Sequence, residues 1–89
     1  MSKVDIYTKS WCPFCQRAKA LLEKLGAAYT EYDVEADPAR LAEMVERSKG
    51  GRTVPQVFID GKYIGGSDDL HALHYAGELI ALLEARTIA

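Results

Sequence analysis

The sequence predicts an α/β fold: a four-stranded mixed sheet with helices on both faces. Three observations carry this reading. Strand-like runs alternate with runs of helical periodicity in the order β-α-β-α-β-β-α, with one more helix at the end. The first run, Val4 to Thr8, carries Val4 and Ile6 on one face and Tyr7 on the other, as a central strand covered on both sides does. Its successor in the sheet follows a helix and short links, which implies a parallel pair, whereas Asp60-Gly61 signals a tight antiparallel hairpin later on. At 89 residues the chain, 1–89, makes one domain.

The first helix is expected over Pro13–Leu25. Ala18, Leu21, Leu22 and Leu25 stand at i, i+3, i+4 and i+7 and form a core-facing stripe, with Arg17, Lys19, Glu23 and Lys24 on the wet side. Gly26 supplies the left-handed residue that ends it. Ala28–Val34 reads as the second strand, with bulk from Tyr29 and Tyr32. Asp37-Pro38 pairs an N-cap with proline at the first helical position, and Leu41, Met44, Val45 and Ser48 give that helix its inner face before Gly50-Gly51 stops it. Gln56–Ile59 is a strong strand with Pro55 at its threshold, and Lys62–Ile64 is the short strand across the hairpin. Gly65-Gly66 permits close backbone approach or positive φ. Ser67 or Asp68 caps a third helix with Leu70 and Leu73 inward. Gly77 interrupts, Leu79, Ile80, Leu82 and Leu83 form a last amphipathic turn or two, and residues 86–89 are expected to fray.

The chemistry is concentrated where the first strand gives way to the first helix, at Lys9-Ser10-Trp11-Cys12-Pro13-Phe14-Cys15. Both cysteines of the chain lie here. A Cys-x-x-Cys pair at a strand-to-helix turn reads as a redox dithiol. With Cys12 at the N-cap and Pro13 at the first helical position, the Cys12 sulfur faces unpaired N–H groups at the positive end of the helix, where a thiolate is favoured. Cys15 lies one turn further in, more buried and less ionised. Cys12 is therefore the attacking sulfur and Cys15 the resolving one. A zinc half-site is the competing reading, but structural zinc needs about four ligands, and only His71 and His74 offer themselves, at a spacing shorter than usual. Two incidental buried cysteines are the third reading. Trp11 is a candidate core or rim aromatic. Lys9, three residues before Cys12, places a positive charge near the thiolate.

Composition bounds the partners. A net charge of −2, with 27% charged and 48% hydrophobic residues, describes a globular chain without an electrostatic footprint for nucleic acid or membrane. No apolar run approaches the ~20 residues of a membrane span, and the start carries no leader-like segment. A single cysteine pair fits a reducing cytosol, and a monomer is expected.

Three segments in register, Cys12-Pro13-Phe14-Cys15, Thr53-Val54-Pro55 and Gly65-Gly66-Ser67-Asp68-Asp69, resemble the signature segments of the glutaredoxins. The resemblance spans essentially the whole chain. It implies a thioredoxin fold, a cis peptide bond between Val54 and Pro55, and glutathione-dependent reduction of glutathione mixed disulfides and protein disulfides. Glutathione is then a co-substrate rather than a bound cofactor, no metal is required, and glutathione reductase serves indirectly. Carried over by motif, Thr53, Val54 and Pro55 border the glutathione site, with the Val54 main chain pairing with the peptide like an added strand. Gly66, Ser67 and Asp68 receive the γ-glutamyl end, Asp69 faces its amino group, and Lys9 and Phe14 line the approach.

The chain departs from the common pattern in three places. Phe14 keeps the ring but loses the hydroxyl of the commoner tyrosine. Ser67 stands where many relatives carry a further cysteine. Ala42 stands where relatives place a polar side chain on the glycine carboxylate, which leaves Arg40 or Arg52 to substitute. Two other functions share the fold: a [2Fe–2S]-bridged dimer, which Pro13 argues against, and reduction by a thioredoxin reductase, against which the second and third segments argue.

Overall fold

The first strand is the spine of the molecule, and every one of its residues is buried. The computed structural model describes residues 2–84. They form β1 (Val4–Thr8), α1 (Pro13–Lys24), β2 (Tyr29–Asp33), α2 (Pro38–Arg47), β3 (Gln56–Ile59), β4 (Lys62–Gly65), α3 (Ser67–Tyr75) and α4 (Leu79–Glu84). The expected fraying of 86–89 lies outside the described residues. The sheet order is β2-β1-β3-β4. β1 pairs with β2 in parallel, Val4 opposite Tyr29 and Thr8 opposite Asp33. It pairs with β3 antiparallel, Val4 opposite Ile59 and Tyr7 opposite Gln56. β4 closes the antiparallel hairpin, with a bulge between Val57 and Phe58. Asp60 and Gly61 take φ 52° and 80°, the two left-handed residues that a tight hairpin turn needs.

Strand alternation divides the core in two. Val4, Ile6, Val57 and Ile59 face α1, α3 and α4, packing on Ala18, Leu22, Leu70, Leu79 and Leu83. Tyr7 and Phe58 face the other way, onto Met44 of α2 and Val34. Burying each large apolar side chain contributes about 1.5–3 kcal/mol, so the two layers hold the sheet from both sides. The first layer is largely apolar, with Thr8 at its end bonded to Glu31. The second is inlaid with charge: Arg47 reaches Asp5 at 3.3 Å and the Tyr7 hydroxyl at 2.7 Å, and its guanidinium stacks 4.1 Å from the centre of the Phe58 ring. Tyr7 donates in turn to Glu43. Burial first, and the Glu43 hydrogen bond second, push the Tyr7 phenol up to about 12.

The helix ends follow local chemistry, with some differences from expectation. Asp37 caps α2 by accepting the Ala39 N–H at 3.0 Å, and Pro38 begins the helix. Gly26 ends α1 at φ 73°, donating to Glu23 while Ala27 donates to Leu22. α2 ends with the same pair of bonds, but its left-handed position is filled by Lys49 at φ 57°, one residue before the expected glycines. The N-cap of α3 is Gly66, rather than Ser67 or Asp68, because the Asp69 carboxylate reaches back to the Gly66 N–H at 3.1 Å. β2 is trimmed to Tyr29–Asp33, although the Val34 N–H still bonds Thr8. β4 runs on to Gly65, and Ile80 lies on the exposed side of α4. Ser2 ties α4 to the start of the chain, donating to the carbonyls of Leu83 and Leu82, each at 2.7 Å. Among the described residues, no helix is long and apolar enough to cross a membrane.

Candidate active site

Four residues carry the chain from the end of β1 to Pro13, and the turn is made by Trp11. Its backbone is left-handed, φ 60°, and its side chain is almost wholly exposed rather than packed in the core. Cys12 follows in extended conformation as the N-cap of α1, and its sulfur accepts the Cys15 N–H at 3.3 Å. A sulfur thus occupies the position where a serine or aspartate oxygen usually sits, at the positive end of a helix whose first turn has free N–H groups. Cys15 is fully buried one turn in. Burial, then the neighbouring Cys12 sulfur, push its thiol up to about 12, while the Lys9 main-chain N–H pulls the other way. The pair is therefore split: Cys12 is half-buried at the mouth of the helix, and the fully buried Cys15 holds its proton.

Across from Cys12 lies the loop before β3. The Val54 carbonyl oxygen stands 3.8 Å from the Cys12 sulfur, and the Val54–Pro55 peptide bond is cis. A groove of about 260 Å³ runs past this point. Phe14 of α1 forms one wall; Thr53, Val54 and Pro55 form another. The mouth of α3, from Gly66 through Ser67 and Asp68 to Asp69, closes the far end. The free N–H groups of that first turn make it a seat for a carboxylate. Gly65, at φ 122°, allows the close approach: a Cβ there would stand 2.2 Å from the Asp69 carboxylate. Ser67 is buried, with its hydroxyl 3.4 Å and its carbonyl 2.8 Å from His71 Nδ1.

The groove thus gathers eight residues singled out in the sequence. Lys9 is not among them. It is exposed in a second depression on the other side of Cys12, with Trp11, Gln16, Lys19, Glu31 and Asp33. Of the two arginines, Arg40 is already engaged: it pairs with Glu43 at 2.9 Å and Asp37 at 3.9 Å, and stacks 4.3 Å over Tyr32. Arg52 is exposed, immediately before Thr53. His71 and His74 line a separate depression with Arg17 and Tyr75, so they do not complete a metal site with the cysteines. Among the described residues, no group of three or more His, Cys, Asp or Glu side chains is placed to hold a metal ion.

Two groove residues were not anticipated, Gln56 and Tyr63. Tyr63 packs its ring 5.3 Å from Phe58. Gln56 donates from Nε2 to the Thr53 carbonyl at 3.0 Å and to its hydroxyl at 3.3 Å. A polar residue opening an otherwise apolar central strand was the available signal.

Comparison with known proteins agrees with this geometry. The glutaredoxin family model matches residues 4–64. Glutaredoxin 3 of Escherichia coli K12 is 50% identical over 84 residues, covering 94% of this chain and all of that protein. The chain belongs to the glutaredoxin family. The solution structure of glutaredoxin from Brucella melitensis is 52% identical and superposes with a TM-score of 0.81 over 93% of this chain and 89% of that one. A buckwheat glutaredoxin–glutathione complex superposes with a TM-score of 0.85 at 34% identity, over 94% and 78%. The fold of this glutaredoxin is the thioredoxin fold expected from its motifs. Its activity class is that of the family, thiol–disulfide oxidoreduction with glutathione.

Proposed function

We propose that this glutaredoxin reduces glutathione mixed disulfides by one route and protein disulfides by another, with Cys12 as nucleophile in both. The observation that carries the reading is the placement of the Cys12 sulfur at the mouth of α1, beside a groove walled by the Thr53-Val54-Pro55 loop and ended by a helix N-terminus. In the first route the Cys12 thiolate attacks the glutathionyl sulfur. A Cys12–glutathione disulfide forms, the original bond breaks, and the target leaves as a thiolate that takes up a proton. A second glutathione thiolate then attacks the glutathionyl sulfur, releasing oxidised glutathione and restoring Cys12. In the second route Cys12 attacks a protein disulfide and forms a mixed disulfide. Cys15 gives up its proton and attacks the Cys12 sulfur, freeing the target as a dithiol. Two glutathiones then reopen the Cys12–Cys15 disulfide. The high proton affinity of Cys15 suits the resolving role, since it keeps that sulfur out of the first step.

In the groove, Val54 offers its main chain to the cysteinyl residue of glutathione, between Thr53 and Pro55. Gly66, Ser67 and Asp68 receive the γ-glutamyl carboxylate on the free N–H groups of α3. Asp69 is partly committed to the Gly66 N–H and adds negative charge near the amino group. Phe14 walls the approach. Arg52 is the better placed arginine for the glycine carboxylate, since Arg40 is spent on Glu43 and Asp37. Lys9 contributes charge from the opposite side. Glutathione is a co-substrate, the protein acts as a monomer without a resident metal, and a reduced dithiol suits the cytosol. The test is turnover of a glutathione mixed disulfide with NADPH, glutathione and glutathione reductase. Activity is expected there and not with thioredoxin reductase as donor; the reverse pattern would overturn the reading.

A further inference from the structure

The loop that carries Thr53 and Val54 is pinned at both ends by buried polar side chains. At its start, Ser48 at the end of α2 accepts the Gly51 N–H at 2.9 Å, and its hydroxyl lies 3.2 Å from the Gly51 carbonyl. At its end, the Gln56 amide donates to both oxygens of Thr53. The two pins meet over Gly51: a Cβ there would stand 2.6 Å from the Ser48 hydroxyl and 3.0 Å from Gln56 Nε2. Gln56 is 3% exposed, and its Oε1 is buried without a hydrogen-bond partner among the described residues. An unpaired buried acceptor costs stability. The two bonds to Thr53 are thus offset by an orphaned acceptor, and the amide's distinctive effect, at the head of a strand that continues Val57-Phe58-Ile59, is to hold the loop.

We infer that Gln56 is a positioning residue for the peptide thiol: through Thr53 it fixes the loop whose Val54 main chain receives glutathione beside Cys12. The inference rests on the glutathione reading of the groove. Thr53 is exposed, so without the amide water satisfies its carbonyl and the loop gains freedom. Ordering that freedom again falls on substrate binding rather than on the sulfur exchange.

The experiment compares the wild-type protein with Gln56→Met, which keeps the length and removes the amide. KM for a glutathionylated peptide is expected to rise about fivefold, the scale of one net hydrogen bond, with kcat within about twofold. The rate of Cys12 alkylation by iodoacetamide stays unchanged. The melting temperature holds, because the lost bonds to Thr53 are offset by removal of the orphaned acceptor. Gln56→Glu keeps the acceptors and loses the donor, and is expected to raise KM as well. A parallel fall in melting temperature and kcat with KM unmoved would overturn the inference, as would a KM equal to that of the wild type. Failure of the wild-type protein itself to saturate with the glutathionyl peptide would instead sink the glutathione reading.

Discussion

The two sides of Cys12 are built differently. On one side lies the groove, walled by the loop through Val54 and ended by the first turn of α3, which offers main-chain N–H groups. On the other lies a depression of charged side chains, with Lys9, Lys19, Glu31 and Asp33 around Trp11. There the two carboxylates are already engaged. Glu31 accepts from Thr8 at 2.7 Å and from Lys19 at 3.0 Å, and Asp33 accepts the N–H groups of Glu35 and Ala36. Burial works against the charged Glu31, but the hydrogen bonds from Thr8 and Lys19 outweigh it and hold its carboxyl below the usual range. The difference separates recognition from support. A peptide ligand pairs with unspent main-chain groups at fixed positions, whereas the self-satisfied side shapes the turn that presents the sulfur.

The sharpest break comes at the sulfurs themselves, which sit between the two sides. Cys12→Ser is expected to remove turnover of both substrate classes by at least about a thousandfold in the coupled glutathione reductase assay. Cys15→Ser is expected to keep glutathionyl turnover and lose reduction of protein disulfides. Next come paired variants, one from each side. Ser67→Pro removes one free N–H at the mouth of α3, at a position where a helix tolerates proline; KM for a glutathionylated peptide should rise about tenfold with the melting temperature held. Lys19→Ala breaks the pair with Glu31, which is worth roughly 0–1 kcal/mol at a surface, and KM should move less than about twofold. Equal effects would erase the distinction between recognition and support.

Stability also depends on pH, through the buried thiol and two phenols at the alkaline end and Glu31 at the acid end. Cys15 binds its proton more tightly folded than unfolded, with the folded value raised from about 9 to about 12. Its contribution is whole below pH ~9 and lost as pH rises toward 12. Tyr7 and Tyr29, each raised from 10.0 to about 12, add to that alkaline loss. Glu31 is lowered, so its contribution is whole above its unfolded value and lost as pH falls through the folded one. Denaturant melts across pH should show Cys15→Ser flattening the alkaline limb and Glu31→Gln the acid limb. The smallest effect lies far from both sides. Lys49→Gly relieves a left-handed lysine and should raise stability by about 1 kcal/mol in a denaturant titration.

Much of this could be read from the sequence because it is local. Proline after Cys12 and after Asp37 marked two helix starts within a residue, and strand alternation sorted Val4 and Ile6 from Tyr7 before any pairing was known. Some missed features depend on residues brought together from afar, others on side chains that reach back to the main chain a few positions away. Arg47 meets Asp5 across 42 positions, and nothing near either announces the pairing. The cap of α3 went to Gly66 because Asp69 reaches backwards, while two better cap formers stood beside it. Lys9 was expected at the approach from its distance along the chain; the left-handed turn at Trp11 lies between it and Cys12, and it lines the depression with Trp11 and Lys19. Gln56 looked like one more strand residue, since its partner is a loop carbonyl three positions back.

Competition between the two sulfurs for a limiting alkylating agent decides which of them is the nucleophile. The reduced protein is treated with iodoacetamide near neutral pH and mapped by mass spectrometry after digestion, with and without prior incubation with oxidised glutathione. Label is expected on Cys12 alone, and prior oxidised glutathione is expected to block it through a Cys12–glutathione disulfide that Cys15 can close to Cys12–Cys15. Label shared with Cys15, or an adduct on Cys15 with Cys12 left free, would contradict the assignment of Cys12 as nucleophile.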